Sequence, residues 1–389
     1  MAVCFRPAPA WRRDSRISIR FAAALGLALT LAGCAGGRME SLGASSLFSS
    51  KEQAQQGSVM MFVASTRKGD RGAIGGVDGG ARYSLQTVSV PADHKPGEIE
   101  TPSFGAPNPA KHFTVAARRG VSSENFRNEL ATHLSGRVGS TRDVLLHVHG
   151  FNTSYDEARF RLAQLTTDTG FGGVPVLFTW ASKSELLAYG SDKESATVAR
   201  DPLQRLLLDI AATPGVGRVH ILAHSMGTWL TMETLRELAI AGKPDLDGRL
   251  GNVMLAAPDI DLSVFRQQVA RLDASKVSVF VSKGDRALSL SRTLAGDRPR
   301  LGAMNPNDPR DREALDRLGV KVYDLSDLSS GFIGHATYAR APDAVRSIGR
   351  QINAPREDAQ VQSVLNVAPP DAIAQPTTTA PSASPVTPR

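Results

Sequence analysis

The chain has 389 residues, of which 41% are hydrophobic and 21% are charged, a composition that predicts a sizeable core and excludes a wholly disordered protein. Of the formal net charge of +7, the first 33 residues contribute +4, and no run of five Lys or Arg residues occurs. The charge pattern therefore gives no reason to expect nucleic acid as a partner.

The N-terminus has the pattern of an export signal. Five arginines and an apolar run over residues 21–33 precede Cys34, and thirteen helical residues span about 20 Å, too short for a bilayer core of about 30 Å. The run Leu31-Ala-Gly-Cys34 resembles the lipobox of bacterial lipoproteins, which implies a signal peptide over residues 1–33 and lipidation of Cys34. Ala35, in the place where Asp would retain a lipoprotein, then implies the outer membrane, facing the periplasm. We therefore expect a protein of the cell envelope that contacts the membrane through Cys34.

Composition divides the rest of the chain into three parts. Residues 34–57 are rich in Gly, Ser, Gln and Glu, which predicts a flexible spacer. Residues 354–389 contain seven prolines and no aromatic residue, which predicts a disordered tail. Residues 58–353 form the predicted folded domain. The only other cysteine, Cys4, lies in the predicted signal peptide, so no disulfide is expected.

Within the predicted domain, short apolar runs alternate with longer amphipathic stretches. This alternation is typical of an α/β fold with a mostly parallel central sheet and helices on both faces. Nine runs are predicted strands, and the first three are joined by turns that favour an antiparallel N-terminal edge. These runs are Val59–Ala64, Tyr83–Val90, His112–Ala116, Val144–Val148, Val174–Trp180, Val219–Ala223, Asn252–Ala256, Lys276–Val281 and Val320–Tyr323.

Ser225 stands between a predicted strand and an amphipathic helix, in the run Ala223-His-Ser-Met-Gly227. A sharp strand-to-helix turn of this kind exposes a serine hydroxyl, and small residues on either side let strand and helix approach closely. The sequence therefore predicts Ser225 as a nucleophile, with Gly227 and the neighbouring His224 supporting the turn.

A second run, His149-Gly-Phe-Asn152, follows a strand upstream of the serine. Gly150 would let this loop fold back over Ser225, so that the backbone N–H groups of Phe151 and Met226 converge on a developing oxyanion. His147 and His149 point to the same side of one strand, but no third ligand has suitable spacing. We expect them to pack or to support the site, and we expect no metal.

A serine nucleophile needs an imidazole base and an acid that orients it. In the chain order Ser, acid, His, the base follows the nucleophile, and His335 is the only histidine after Ser225. Asp285 comes just past the second predicted strand after the serine, where this topology places the acid. Asp259, one strand earlier, is the alternative acid.

Together, the runs His149-Gly-Phe-Asn, His224-Ser-Met-Gly, Ala257-Pro-Asp, Gly284-Asp-Arg-Ala-Leu and Gly334-His resemble the α/β-hydrolase superfamily. More narrowly, the chain is similar to a bacterial esterase/lipase-like family of largely unknown function, over about residues 58–352. The resemblance implies a serine hydrolase, carboxylesterase-like, that cleaves a small ester or acyl substrate without a cofactor. The alternative is a catalytically silent, lipid-anchored scaffold or binding module of the envelope that keeps the hydrolase fold.

Overall fold

The computed structural model describes residues 57–67, 80–183, 185, 188–294, 296–328 and 335–355. The predicted signal peptide, Cys34, the spacer up to residue 56 and the tail from residue 356 lie outside the described residues.

The described residues form one nine-stranded sheet in the order β3-β2-β1-β5-β4-β6-β7-β8-β9. Strands β1, β2 and β3 pair antiparallel at one edge, and every pairing from β1 through β5 to β9 is parallel. The α/β-hydrolase fold predicted from the sequence is thus confirmed. The strands are β1 (Gly57–Ser65), β2 (Arg82–Val90), β3 (Thr114–Val121), β4 (Val144–Val148), β5 (Val174–Thr179), β6 (Val219–His224), β7 (Leu250–Ala256), β8 (Val277–Val281) and β9 (Lys321–Asp324).

Helices cover both faces of the sheet, and each face has its own apolar core. Helices α1, α4, α5 and α6 bury side chains in the core of one face, and α2, α9 and α10 bury theirs in the core of the other. No helix within the described ranges combines the length and apolar composition needed to cross a membrane. The helices are α1 (Phe126–Leu134), α2 (Tyr155–Asp168), α3 (Tyr189–Val198), α4 (Arg200–Ala211), α5 (Met226–Ile240), α6 (Leu262–Val269), α7 (Arg286–Leu294), α8 (Pro309–Asp316), α9 (Thr337–Arg340) and α10 (Pro342–Ile352).

Burial on both faces explains why the central strands are continuous apolar runs rather than alternating ones. Every residue of β4, β5 and β8 is buried, as expected for parallel strands with helices on both sides. Eight of the nine predicted strands agree with the structure to within about two residues at each end. Helix α5 ends at Ile240, just before Gly242, whose φ of 81° is the left-handed conformation that terminates helices.

The prediction for β3 was wrong in its extent. The apolar run His112–Ala116 predicts a short strand, whereas β3 runs over Thr114–Val121 and includes Arg118 and Arg119. These residues pair in register with Gln86 and Leu85 of β2. Charged residues are common on edge strands because they discourage further pairing, so apolar content did not define this strand.

The segment between β2 and β3 is attached to the C-terminal end of α2 through His94. Its imidazole lies 2.9 Å from Glu100 Oε2 and 2.9 Å from Asp168 Oδ1, and Gly97 N–H donates to Asp168 Oδ2 at 2.7 Å. Burial lowers the pKa of His94, but the hydrogen bonds to both carboxylates outweigh burial and raise that pKa overall. Burial raises the pKa values of Asp168 and Glu100. Hydrogen bonds, including those from His94, outweigh burial and lower both values overall.

We expect His94→Gln to lower the free energy of unfolding most between about pH 4.5 and 6.5. The raised pKa of His94 gives stability that is fully present below its unfolded value and is lost as the pH rises through its folded value. The lowered pKa values of the carboxyls give stability that is lost as the pH falls through their folded values. Urea denaturation at about pH 5.5 and about pH 9 measures the effect, with His112→Gln as the control. A loss that does not shrink at the higher pH would contradict the prediction.

Candidate active site

Ser225 lies in the strained turn that the sequence predicts between β6 and α5. Its φ of 52° and ψ of −124° are unusual for a residue with a side chain. The turn is held from both sides: Ser225 N–H donates to Ala256 O at 2.9 Å, and the Thr228 hydroxyl donates to Ser225 O at 2.6 Å. Neighbouring elements therefore fix the strained backbone at this serine.

Two glycines allow the loop after β4 to contact this turn, a role that the sequence predicts for Gly150. A Cβ atom on Gly150 would lie 2.8 Å from Ser225 Cβ and 2.9 Å from His224 Nδ1. A Cβ atom on Gly227 would lie 2.3 Å from His149 O. No side chain fits at either position without movement of the backbone, so Gly150 and Gly227 set the distance between the loop and α5.

Asp285 and His335 are joined directly, although fifty positions separate them in the chain. Asp285 Oδ2 lies 2.7 Å from His335 Nδ1, and the other carboxylate oxygen accepts from Leu288 N–H at 3.1 Å, in the first turn of α7. The Asp285 side chain is buried, whereas that of His335 is 19% exposed. A carboxylate at Nδ1 fixes the imidazole and leaves Nε2 for proton transfer.

His224 connects the His335 segment to the serine turn. The centroids of the two imidazole rings lie 4.6 Å apart, and His224 Nε2 donates a hydrogen bond to His335 O at 3.0 Å. Burial, together with the charge of His335, holds the pKa of His224 well below its usual range, so this ring is neutral and its one N–H goes to that carbonyl. The Ser225 hydroxyl forms no hydrogen bond with the described residues. Such contacts often tighten only when substrate binds.

Asp259 also lies beside the turn, since its N–H donates to Ser225 O at 3.3 Å. Its carboxylate, however, is buried in a different network: it accepts from Tyr189 Oη at 2.9 Å and from Ser291 Oγ at 2.5 Å, and it lies 3.2 Å from Arg300 Nε. The structure thus places Asp285, and not the alternative Asp259, on the imidazole of His335.

An arginine that the sequence analysis assigned no role holds the loop after β4. Arg67, two residues beyond β1, donates to Thr179 Oγ1 at 2.8 Å, to Ser182 O at 3.0 Å and to Thr153 O at 2.7 Å. Its guanidinium therefore ties together the segments that follow β1, β4 and β5. The available signal was its position after a strand at the carboxyl edge of the sheet, where the loops of α/β folds form sites.

His149 sets the orientation of the peptide that carries the Phe151 N–H. Burial and the charge of Arg67 hold the pKa of His149 well below its usual range. Because Trp180 N–H donates to His149 Nε2 at 3.2 Å, the proton of the neutral ring is on Nδ1, which lies 2.8 Å from Gly150 O. In a trans peptide the C=O and N–H groups point in opposite directions. Holding Gly150 O therefore directs the Phe151 N–H away from His149.

Met226 is the first residue of α5, and the first N–H groups of a helix have no acceptor within it. His147 Nδ1 lies 3.0 Å from Leu222 O, and burial lowers the pKa of His147 to about 4. His147 thus packs as a neutral ring that bonds a carbonyl, in agreement with the expectation.

A comparison with known protein families agrees with the fold. The sequence profile of the family described as "Alpha/beta hydrolase of unknown function (DUF900)" matches residues 122–353. No curated protein matches the sequence.

The solved structures that match the chain share little sequence with it. A Pyrobaculum calidifontis esterase is 15% identical, with 56% of this chain and 78% of that chain covered and a TM-score of 0.35. A CIB-like hydrolase from Thermoplasma acidophilum is 17% identical, covering 55% and 87%, with a TM-score of 0.33. A fungal esterase from Rhizomucor miehei is 10% identical, covering 76% and 83%, with a TM-score of 0.34.

We expect Gly227→Ala to destabilise the fold by roughly 1–3 kcal/mol, because the added methyl group would meet His149 O, a backbone atom with no freedom to rotate away. Thermal unfolding followed by circular dichroism measures the change. Gly190→Ala is the matched control: a Cβ atom there meets nothing within 4 Å, so the melting temperature should stay the same or rise slightly. Equal melting temperatures for Gly227→Ala and the unmodified chain would contradict the close contact.

Proposed function

The chain belongs to the family of alpha/beta hydrolases of unknown function, and we propose that it is a serine hydrolase that cleaves an ester. The observation that carries the proposal is the 2.7 Å hydrogen bond between Asp285 and His335. The main-chain oxygen of His335 also accepts a hydrogen bond from His224, the residue before Ser225. A base, its orienting acid and a serine in a strained turn are the parts that acyl transfer needs.

In the proposed reaction, Ser225 Oγ attacks the ester carbonyl while His335 Nε2 takes the hydroxyl proton. Asp285 stabilises the imidazolium that forms. The carbonyl oxygen becomes an oxyanion, which accepts from the Phe151 and Met226 N–H groups. His335 then returns the proton to the leaving alcohol, which departs as an acyl-enzyme forms. Water then attacks the carbonyl carbon of the acyl-enzyme while His335 Nε2 takes a proton from it. His335 passes that proton to Ser225 Oγ as the acyl–oxygen bond breaks, which releases the acid and restores the Ser225 hydroxyl.

The buried environment supports this division of roles. His147, His149 and His224 have pKa values lowered by burial, so they are neutral at physiological pH and hold carbonyl groups. His335 is partly exposed and hydrogen-bonded to a carboxylate, which suits a ring that gains and loses a proton.

We further propose that the protein lies in the cell envelope, attached through a lipidated Cys34, and that it has carboxylesterase-like specificity for small esters.

The nucleophile is tested with a fluorophosphonate probe and aryl esters of short and long chain length. We expect the unmodified chain to be labelled and to hydrolyse at least one ester, and we expect Ser225→Ala to lose both properties. Ser195→Ala removes a helical hydroxyl elsewhere and should retain both. Labelling that survives Ser225→Ala would reject the nucleophile. The absence of turnover above that variant on esters, thioesters and amides would favour a catalytically silent envelope module instead.

The choice of acid is tested by comparing Asp285→Asn with Asp259→Asn. We expect Asp285→Asn to lower kcat by roughly 10³- to 10⁴-fold, because an amide at this position favours the wrong tautomer of His335. Asp259→Asn should mainly lower the melting temperature, because it leaves Arg300 buried without its carboxylate partner. A greater loss of kcat in Asp259→Asn than in Asp285→Asn, with both proteins folded, would make Asp259 the acid.

A further inference from the structure

A cavity of about 590 Å³ lies at the opposite edge of the sheet from Ser225. It is formed where strands begin: Arg218 precedes β6, Lys276 precedes β8 and Lys321 opens β9, and α10 contributes Arg350 and Gln351. From Val219 at the start of β6 to Ser225 beyond its end, the strand rises about 20 Å. The cavity is therefore separate from the candidate active site.

The cavity wall carries four cationic side chains and no carboxylate. Arg218 is paired with the buried Asp143 at 3.2 Å, and Lys276 Nζ donates to Leu250 O at 3.0 Å. Lys321 and Arg350 are exposed, and within the described ranges their charged groups have no hydrogen-bond or ion-pair partner. Asp273, whose pKa is lowered by a hydrogen bond from Ser275 and by the nearby Lys276 and Lys321, is not among the residues of the wall.

Gln351 adds a buried donor to this wall. Its side-chain Oε1 accepts from Ser278 Oγ at 2.8 Å, and its main-chain oxygen accepts from Asn252 Nδ2 at 2.7 Å. These two bonds fix the residue, yet among the described residues Nε2 is buried without an acceptor. Leaving a buried donor unpaired is unfavourable, and an anionic ligand in the cavity would supply the missing acceptor.

We propose that this cavity binds a phosphate group. A phosphate carries up to two negative charges and several acceptor oxygens, which match the Lys321 ammonium, the Arg350 guanidinium and the Gln351 amide. The group can belong to a free solute or to a membrane headgroup. Strand β1, parallel to β5, also begins at this edge with Gly57, so the predicted lipid-anchored segment joins the domain here. Headgroup binding would hold the opposite edge, with Ser225, away from the membrane.

Binding is tested on the full chain carrying Cys34→Ala, by acetylating lysines at increasing concentrations of inorganic phosphate, with chloride at equal ionic strength as the reference. Mass spectrometry gives the rate at each lysine. We expect phosphate to slow the acetylation of Lys321 several-fold more than that of Lys111, which is exposed elsewhere.

The double variant Lys321→Glu/Arg350→Glu should bind phosphate about ten-fold or more weakly. Its apparent phosphate affinity is measured from the acetylation rate of Lys276. The control Lys111→Glu/Arg310→Glu changes the net charge equally and should keep the site.

Sedimentation with vesicles distinguishes a headgroup phosphate from a free phosphate. The vesicles contain phosphatidylcholine, with or without phosphatidylglycerol. Binding that needs phosphatidylglycerol and is lost only in the Lys321/Arg350 variant supports a headgroup site. Protection by inorganic phosphate without vesicle binding supports a soluble phosphate ligand. Neither effect, or equal loss in the control variant, overturns the proposal. Ester hydrolysis should be unchanged in the Lys321/Arg350 variant, so this test is independent of the proposed catalytic activity.

Discussion

The backbone contact between the loop after β4 and the turn at Ser225 is the constraint on which the candidate active site depends. A Cβ atom on Gly227 would lie 2.3 Å from His149 O, and one on Gly150 would lie 2.8 Å from Ser225 Cβ. The loop after β4 and the start of α5 are therefore held at a distance that side chains would prevent. This contact places Gly150 against the turn at Ser225, and Arg67 stabilises the loop by donating a hydrogen bond to Thr153 O.

Burial assigns different chemistry to the histidines around this turn. His147, His149 and His224 are removed from water, which lowers their pKa values and makes each a neutral ring that contacts a fixed carbonyl oxygen. His335 is the one with a carboxylate at Nδ1 and partial exposure. An imidazole with both features can hold a proton transiently, whereas a buried ring without a counter-charge resists protonation because desolvation disfavours its charged form.

The two edges of the sheet carry different surfaces because all the central strands run in the same direction. Carboxyl ends of β6 and β8 lead to Ser225 and Asp285, and the amino ends of β8 and β9 bring Lys276 and Lys321 together. Parallel pairing thus collects residues that are far apart in the chain at one edge or the other. In this way one sheet supports a candidate catalytic centre and, at its opposite edge, a cationic cavity.

The sequence alone determined the sheet, the turn at Ser225 and the identity of His335 as the only downstream imidazole. These follow from local patterns: continuous apolar runs in strands buried on both faces, a small residue on each side of a serine, and a count of histidines. Only the tertiary structure showed which aspartate contacts His335. Both Asp285 and Asp259 follow parallel strands, and their partners, His335 and Arg300, come from later in the chain. The tertiary structure alone revealed the role of Arg67, whose acceptors lie more than 80 positions away, and the extent of β3, which depends on pairing with β2. Contacts of this kind form between segments distant in sequence, so no local pattern encodes them.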